Sequence, residues 1–264
     1  TEYLSDEWMK LLGACIEYAA EKGMKAWLYD EDKWPSGYAG GAIPRLGEEY
    51  RQRFLVCRIN EDPLDVPSGG VDKELLAQFT FDEKRLRFFV QTSPMGEPKF
   101  NGTTYIDISN PKVMQAFLDS TNEKYREALG DHFGETIPGM FTDEPCYGFS
   151  VFALPMNLPW TADFPRRFEE QKGYSILDHL PALFFPVDDY RRYRFDFFDV
   201  ITECFRQSFS RLYAEWCESA GLALTGHYQA EDSLYIQTEW IGAAMAHYEQ
   251  MHIPGVDHLG RRTK

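Results

Sequence analysis

Hydrophobic positions fall into two alternating textures along this chain. Residues 5–23, SDEWMKLLGACIEYAAEKG, set Trp8, Leu11, Leu12, Cys15, Ile16 and Ala19 at helical spacing behind a serine cap and two acids, and Gly23 closes the run. The short apolar strand MKAWLY follows, then a loop rich in Gly and Pro, DEDKWPSGYAGG. The same order returns with TYIDIS, with Asn110 as cap and Pro111 at the first position of a helix running into the 120s, and with TIPGMFTDEP. A helix over roughly 188–220 leads through Gly221 to LALTGHY, and a further helix over 234–248 precedes HIPGVDHL. Residues 149–187, rich in Pro and aromatic rings, read as a long loop carrying short helices.

Helix followed by short apolar strand, repeated, predicts a parallel sheet. Polar clusters recur just after the strands, which predicts a (β/α)8 TIM-type barrel or a partial one. Five strands of this type are expected, near 25–30, 104–109, 137–143, 222–227 and 252–256. Eight are needed to close a barrel, so residues 1–264 read as one incomplete catalytic domain, a fragment of a longer enzyme or a partial barrel completed by other chains. Residues 51–92 differ in texture: RFLVCRI, LLAQFTF and RLRFFVQT, parted by PSGG and DEKR, predict a small antiparallel β insertion.

Charge narrows the partners. Against 42 Asp and Glu the chain carries 27 Lys and Arg, a net charge of -15, so its field repels nucleic acid and anionic membranes. Aromatic residues make up 16% of the chain, enough to fill a core and still offer flat apolar faces to a ligand. The five cysteines show no metal-type spacing and read as reduced, mostly buried thiols. Neither a membrane-length apolar run nor a basic-then-apolar leader is present in the chain as given, which favours a cytoplasmic location. An incomplete barrel would expose sheet edges, so self-association is expected.

The candidate chemistry sits at strand ends. GMFTDEP delivers Asp143 and Glu144 to the end of an apolar strand, where burial beside aromatic rings raises a carboxyl pKa for proton donation. TGHYQAED places His227 and Tyr228 at another strand end with Glu231 and Asp232 behind, and PGVDHL repeats the pattern with Asp257 and His258. In WLYDEDKW, alternation along an extended chain turns Asp30 and Asp32 toward a ligand and Glu31 toward the scaffold, while Trp34 offers a platform for a sugar's C–H face. Glu144 is the expected acid. Dinucleotide, phosphate-loop, serine-elbow and HExxH motifs are all absent.

WLYDEDKWPSGYAGG, MFTDEP, TGHYQAED and AMAHYEQMHIPGVDHLGR, in this order, resemble the catalytic barrel of α-L-rhamnosidase-like bacterial glycoside hydrolases. The resemblance spans roughly residues 3–262 and implies a carbohydrate substrate, catalytic carboxylates at strand ends, inversion of configuration, and calcium assisting sugar binding. The sequence itself requires no cofactor. On FTDEP the matching acid is Glu144, while the second carboxylate often comes from a late strand beyond this chain's end. Glu231 is the in-chain candidate, and weak or absent hydrolysis is expected if the protein stops at Lys264. Asp30, Asp32, Trp34, Asp143, His227, Tyr228, Asp257 and His258 are the expected sugar-binding residues. Two other readings stay open: a metal-dependent barrel isomerase or hydrolase using His227, Glu231, Asp257 and His258, and a non-catalytic carbohydrate-binding fragment.

Overall fold

The computed structural model describes residues 1–60, 71–148 and 156–257, and the side chains of all of these except 71–74. In chain order the elements are α1 (Asp6–Glu21), β1 (Leu28–Tyr29), α2 (Ala42–Arg45), β2 (Arg53–Ile59), β3 (Val71–Phe81), β4 (Lys84–Thr92), α3 (Pro111–Ser120) and α4 (Asn122–Leu129). They continue with β5 (Gly139–Asp143), β6 (Asn157–Trp160), α5 (Phe164–Lys172), α6 (Leu180–Phe184), α7 (Tyr190–Phe205), α8 (Leu212–Ser219), β7 (Ala223–His227), α9 (Leu234–Trp240), α10 (Ala244–Tyr248) and β8 (Ile253–Pro254).

The caps form where side-chain chemistry demands them. Ser5 Oγ accepts from the Trp8 amide at 3.2 Å, and Asn110 Oδ1 accepts from the Lys112 amide at 3.1 Å with Pro111 opening α3. β1, β5, β7 and β8 pair in parallel in that order. The sheet is four-stranded and open, and no closed barrel exists among the described residues. A second sheet, ordered β3-β4-β2-β6, is antiparallel throughout. Its β3–β4 hairpin turns at Asp82 and Glu83, both with positive φ, and β6 joins it from outside the 51–92 stretch.

The expected strand over 104–109 does not enter the parallel sheet. The amides of Gln52 and Asp107 bond instead to the carbonyls of Tyr105 and Tyr50, at 3.1 and 3.0 Å. Tyr105, Ile106 and Ile108 are all buried, so this apolar run is a core thread beside β2. The helix expected over 234–248 breaks at Gly242. The amides of Ile241 and Gly242 both bond to the Gln237 carbonyl at 2.8 Å, and Gln237 Oε1 accepts from the Ala244 amide that starts α10. Gly242 has φ 84, and a Cβ there would lie 1.8 Å from Thr202 Oγ1, so only glycine fits this break. Helices α7 and α8 form one rod through a π-helical turn, Arg206–Arg211.

The parallel sheet has unequal faces. Leu28, Met140 and Leu224 are buried in the same core as Phe117, Phe209 and Tyr213 of the helical layer, whose rings contact one another. On the other face Trp27 and Tyr29 are 41% and 36% exposed, and Phe141, Asp143, Thr225 and His227 are only partly covered. Parallel sheets are normally covered on both faces; the described residues leave this face open, and its polar groups Asp143 and His227 sit at the strands' carboxyl ends. The five cysteines are free, and four of them, Cys57, Cys146, Cys204 and Cys217, are buried. Among the described residues no helix is long and apolar enough to cross a membrane.

Candidate functional site

β5 is the middle of the site. Its last residue, Asp143, accepts a hydrogen bond from the Tyr29 hydroxyl at 2.6 Å through Oδ2 and faces His227 Nε2 at 3.5 Å through Oδ1. Tyr29 comes from β1 and His227 from β7, so one carboxylate ties together residues on three adjacent strands. The contact sets the Asp143 carboxylate beside the imidazole's Nε2. His227 Nδ1 is then left buried without a hydrogen-bond partner among the described residues.

Glu144 follows with φ 49, in the left-handed region that costs a non-glycine residue on the order of 1–2 kcal/mol. Its amide donates to the His227 carbonyl at 3.0 Å, which fixes the turn to the end of β7. The carboxyl is half-buried. Desolvation first, then the charges of Asp143, Asp257 and Glu231, push its pKa up to about 7, while Lys99 pulls it down. Such a group holds its proton near neutrality and can give it up.

Glu231 works as a staple at the sheet's other end. Its two oxygens accept from the Asp257 amide at 2.8 Å and from the Tyr228 amide at 3.4 Å, joining the residue beyond β8 to the end of β7. Burial raises its pKa as well. The arrangement brings Glu144, His227 and Asp257 together, with one ligand-type atom from each lying within 4.8 Å of the others. Among the described residues this trio could hold a metal ion.

Other expected residues lie elsewhere. Asp30 is fully buried beside Thr142 and Tyr213, and its Oδ1 takes the Ser36 hydroxyl at 2.5 Å. Desolvation pushes its pKa up to about 7. This corrects the expectation that Asp30 faces a ligand: alternation carries on through Trp27, Leu28, Tyr29 and Asp30, exposed and buried in turn, and sets Asp30 on the covered face with Leu28. Alternation ends at Glu31, which is buried as well and is tied to the scaffold. Its oxygens receive the amides of Asp32, Gly37, Ala39 and Gly40 at 2.9, 3.2, 2.7 and 2.6 Å. Burial pushes its pKa up to about 8 and these donors pull the other way.

Asp32 is exposed and accepts from Asn101 at 2.9 Å, and Trp34 is 42% exposed with the Lys99 ammonium 3.4 Å from its ring centre. Tyr228 turns into the core, where its hydroxyl lies 2.7 Å from Ser210, whose Oγ is 2.8 Å from His247 Nδ1. Its phenol is therefore not presented on the open face. His247 Nε2 meets the Ile241 carbonyl at 2.9 Å, and burial lowers its pKa to about 4, so it stays neutral and structural. His258 lies outside the described residues.

Two members escaped sequence reading. Tyr29 alternates with Leu28 and Asp30, and assigning the apolar Leu28 to the core face would have turned Tyr29 to the open one. Lys99 lies in the loop GEPKFNG, where nothing in the local pattern signals a site.

No family model matches the chain, and no curated protein matches it. A solved rhamnosidase from Novosphingobium sp. PP1Y aligns with 64% of this chain and 16% of its own length, at 16% identity and a TM-score of 0.47. That likeness is too slight to assign either fold or function.

Proposed function

We propose that this chain hydrolyses O-glycosidic bonds of neutral or deoxy sugars, with Glu144 protonating the departing oxygen. The observation that carries the reading is the position of Glu144: half-buried at the carboxyl end of the central parallel strand, among further carboxylates, on the uncovered face of the sheet. Tyr29, Phe141 and Trp27 line the same face with rings suited to a sugar's apolar side, and the ordered sequence blocks quoted above support the same class.

A second carboxylate must activate water or attack directly. Asp257 lies within 4.8 Å of Glu144, short of the roughly 6.5–9.5 Å that leaves room for a water in an inverting pair. Glu231 keeps lone pairs beyond its two backbone contacts and is the base in this reading. Asp32 and Trp34 are proposed as sugar contacts at the rim.

Turnover of a panel of aryl glycosides by the wild-type chain and by Glu144→Gln is the test. Loss of about 100-fold or more in kcat is expected for the variant. Equal turnover by both would remove Glu144 from the acid role.

A further inference from the structure

We infer that Glu144, His227 and Asp257 form a site for a first-row divalent transition metal of the zinc class, and that calcium does not fit it. The inference stands on coordination geometry and is independent of the hydrolase reading.

Three features carry it. The ligand atoms come from the carboxyl ends of three adjacent strands whose backbones are already locked together. The Glu144 amide is bonded to the His227 carbonyl, and Glu231 pins the Asp257 amide beside Tyr228. A metal with bonds of about 2.0–2.2 Å spaces its ligands about 3–4 Å apart, so side-chain movements on the order of 1 Å would close the observed spread of 4.8 Å.

The histidine is prepared for a metal. Asp143, itself held by Tyr29, faces Nε2, and the opposite nitrogen, Nδ1, is buried with no partner among the described residues. A carboxylate beside one imidazole nitrogen, with the other left without a partner, matches the outer arrangement of histidine–metal centres, in which a metal takes the second nitrogen. Charge points the same way. Asp143, Glu144, Glu231 and Asp257 cluster here, with Lys99 opposing them at Glu144, so a divalent ion would offset the repulsion among these carboxylates.

The donor set decides the metal. Calcium takes six to eight oxygens in a flexible cage, whereas one imidazole with two carboxylates suits zinc and its neighbours and leaves a coordination position open. Bound metal would also hold the Glu144 carboxylate, so occupancy and proton donation by Glu144 exclude one another.

Calorimetric titration of the chelator-treated full chain with zinc chloride, and separately with calcium chloride, tests the inference, with cobalt(II) as a visible-absorption probe of nitrogen ligation. Binding of one zinc with Kd near or below about 1 μM is expected, with no calcium heat at millimolar concentration. His227→Ala and Asp257→Asn, each checked for folding by circular dichroism, should weaken zinc at least about 30-fold, and Asp143→Asn about 10-fold. Absence of zinc binding, calcium binding as tight as zinc, or zinc affinity untouched by both ligand variants would each overturn it.

Discussion

Two neighbouring parallel strands, β1 and β5, each end in an Asp-Glu doublet, and the fold uses the two in opposite ways. Asp30 and Glu31 turn inward. Each Glu31 oxygen receives two backbone amides from the loop 32–40, and Asp30 holds Ser36. Asp143 and Glu144 face the open side and meet side chains from other strands. The difference lies in what surrounds each pair. The loop after β1 folds back over its doublet, with Gly40 and Gly41 at φ 59 and 99 letting amides converge on Glu31. After β5, Pro145 cannot supply an amide, and among the described residues no comparable cradle forms. An acidic strand end is therefore only a starting point: the number of backbone donors aimed at it separates scaffold from site.

The comparison can be broken most strongly through pH. Asp30 has a folded-state pKa raised from 3.8 to about 7, so its contribution to stability is complete below its unfolded value and is lost as pH rises through about 7. Asn cannot ionise, so the stability of wild type relative to Asp30→Asn should decline between about pH 4 and pH 7. Urea denaturation at several pH values measures the gap, and a constant gap would mean Asp30 is ionised throughout at no cost.

A smaller effect is expected at the link between the doublets. Ser36 Oγ donates to Asp30 and accepts from the Asp143 amide at 2.7 Å, so one hydroxyl couples the buried pair to the open one. Ser36→Ala removes both bonds and should lower stability by about 1–2 kcal/mol. A change near zero would show that the two strand ends are independent.

Much of this was legible in the chain because it rests on local chemistry. Ser5 and Asn110 cap their helices through the side chains that announce them, and Asp143, Glu144, His227 and Asp257 lie at strand ends where hydrophobic runs stop. What escaped depends on long-range packing. TYIDIS has strand texture, yet its apolar residues are swallowed by the core next to β2, and the loop carrying Lys99 reaches Trp34 only in three dimensions. Tyr228 follows a strand-end histidine, but its hydroxyl finds Ser210 on the π-turn, a partner no spacing rule could supply.

Urea denaturation of Glu31→Gln and Glu144→Gln side by side tests the central claim, that one doublet is scaffold and the other site. A glutamine at 31 would turn an NH2 toward two backbone donors, and the predicted loss is about 2 kcal/mol or more. Glu144→Gln should stay within about 0.5 kcal/mol of wild type. Equal losses, or a larger loss at Glu144, would contradict the account.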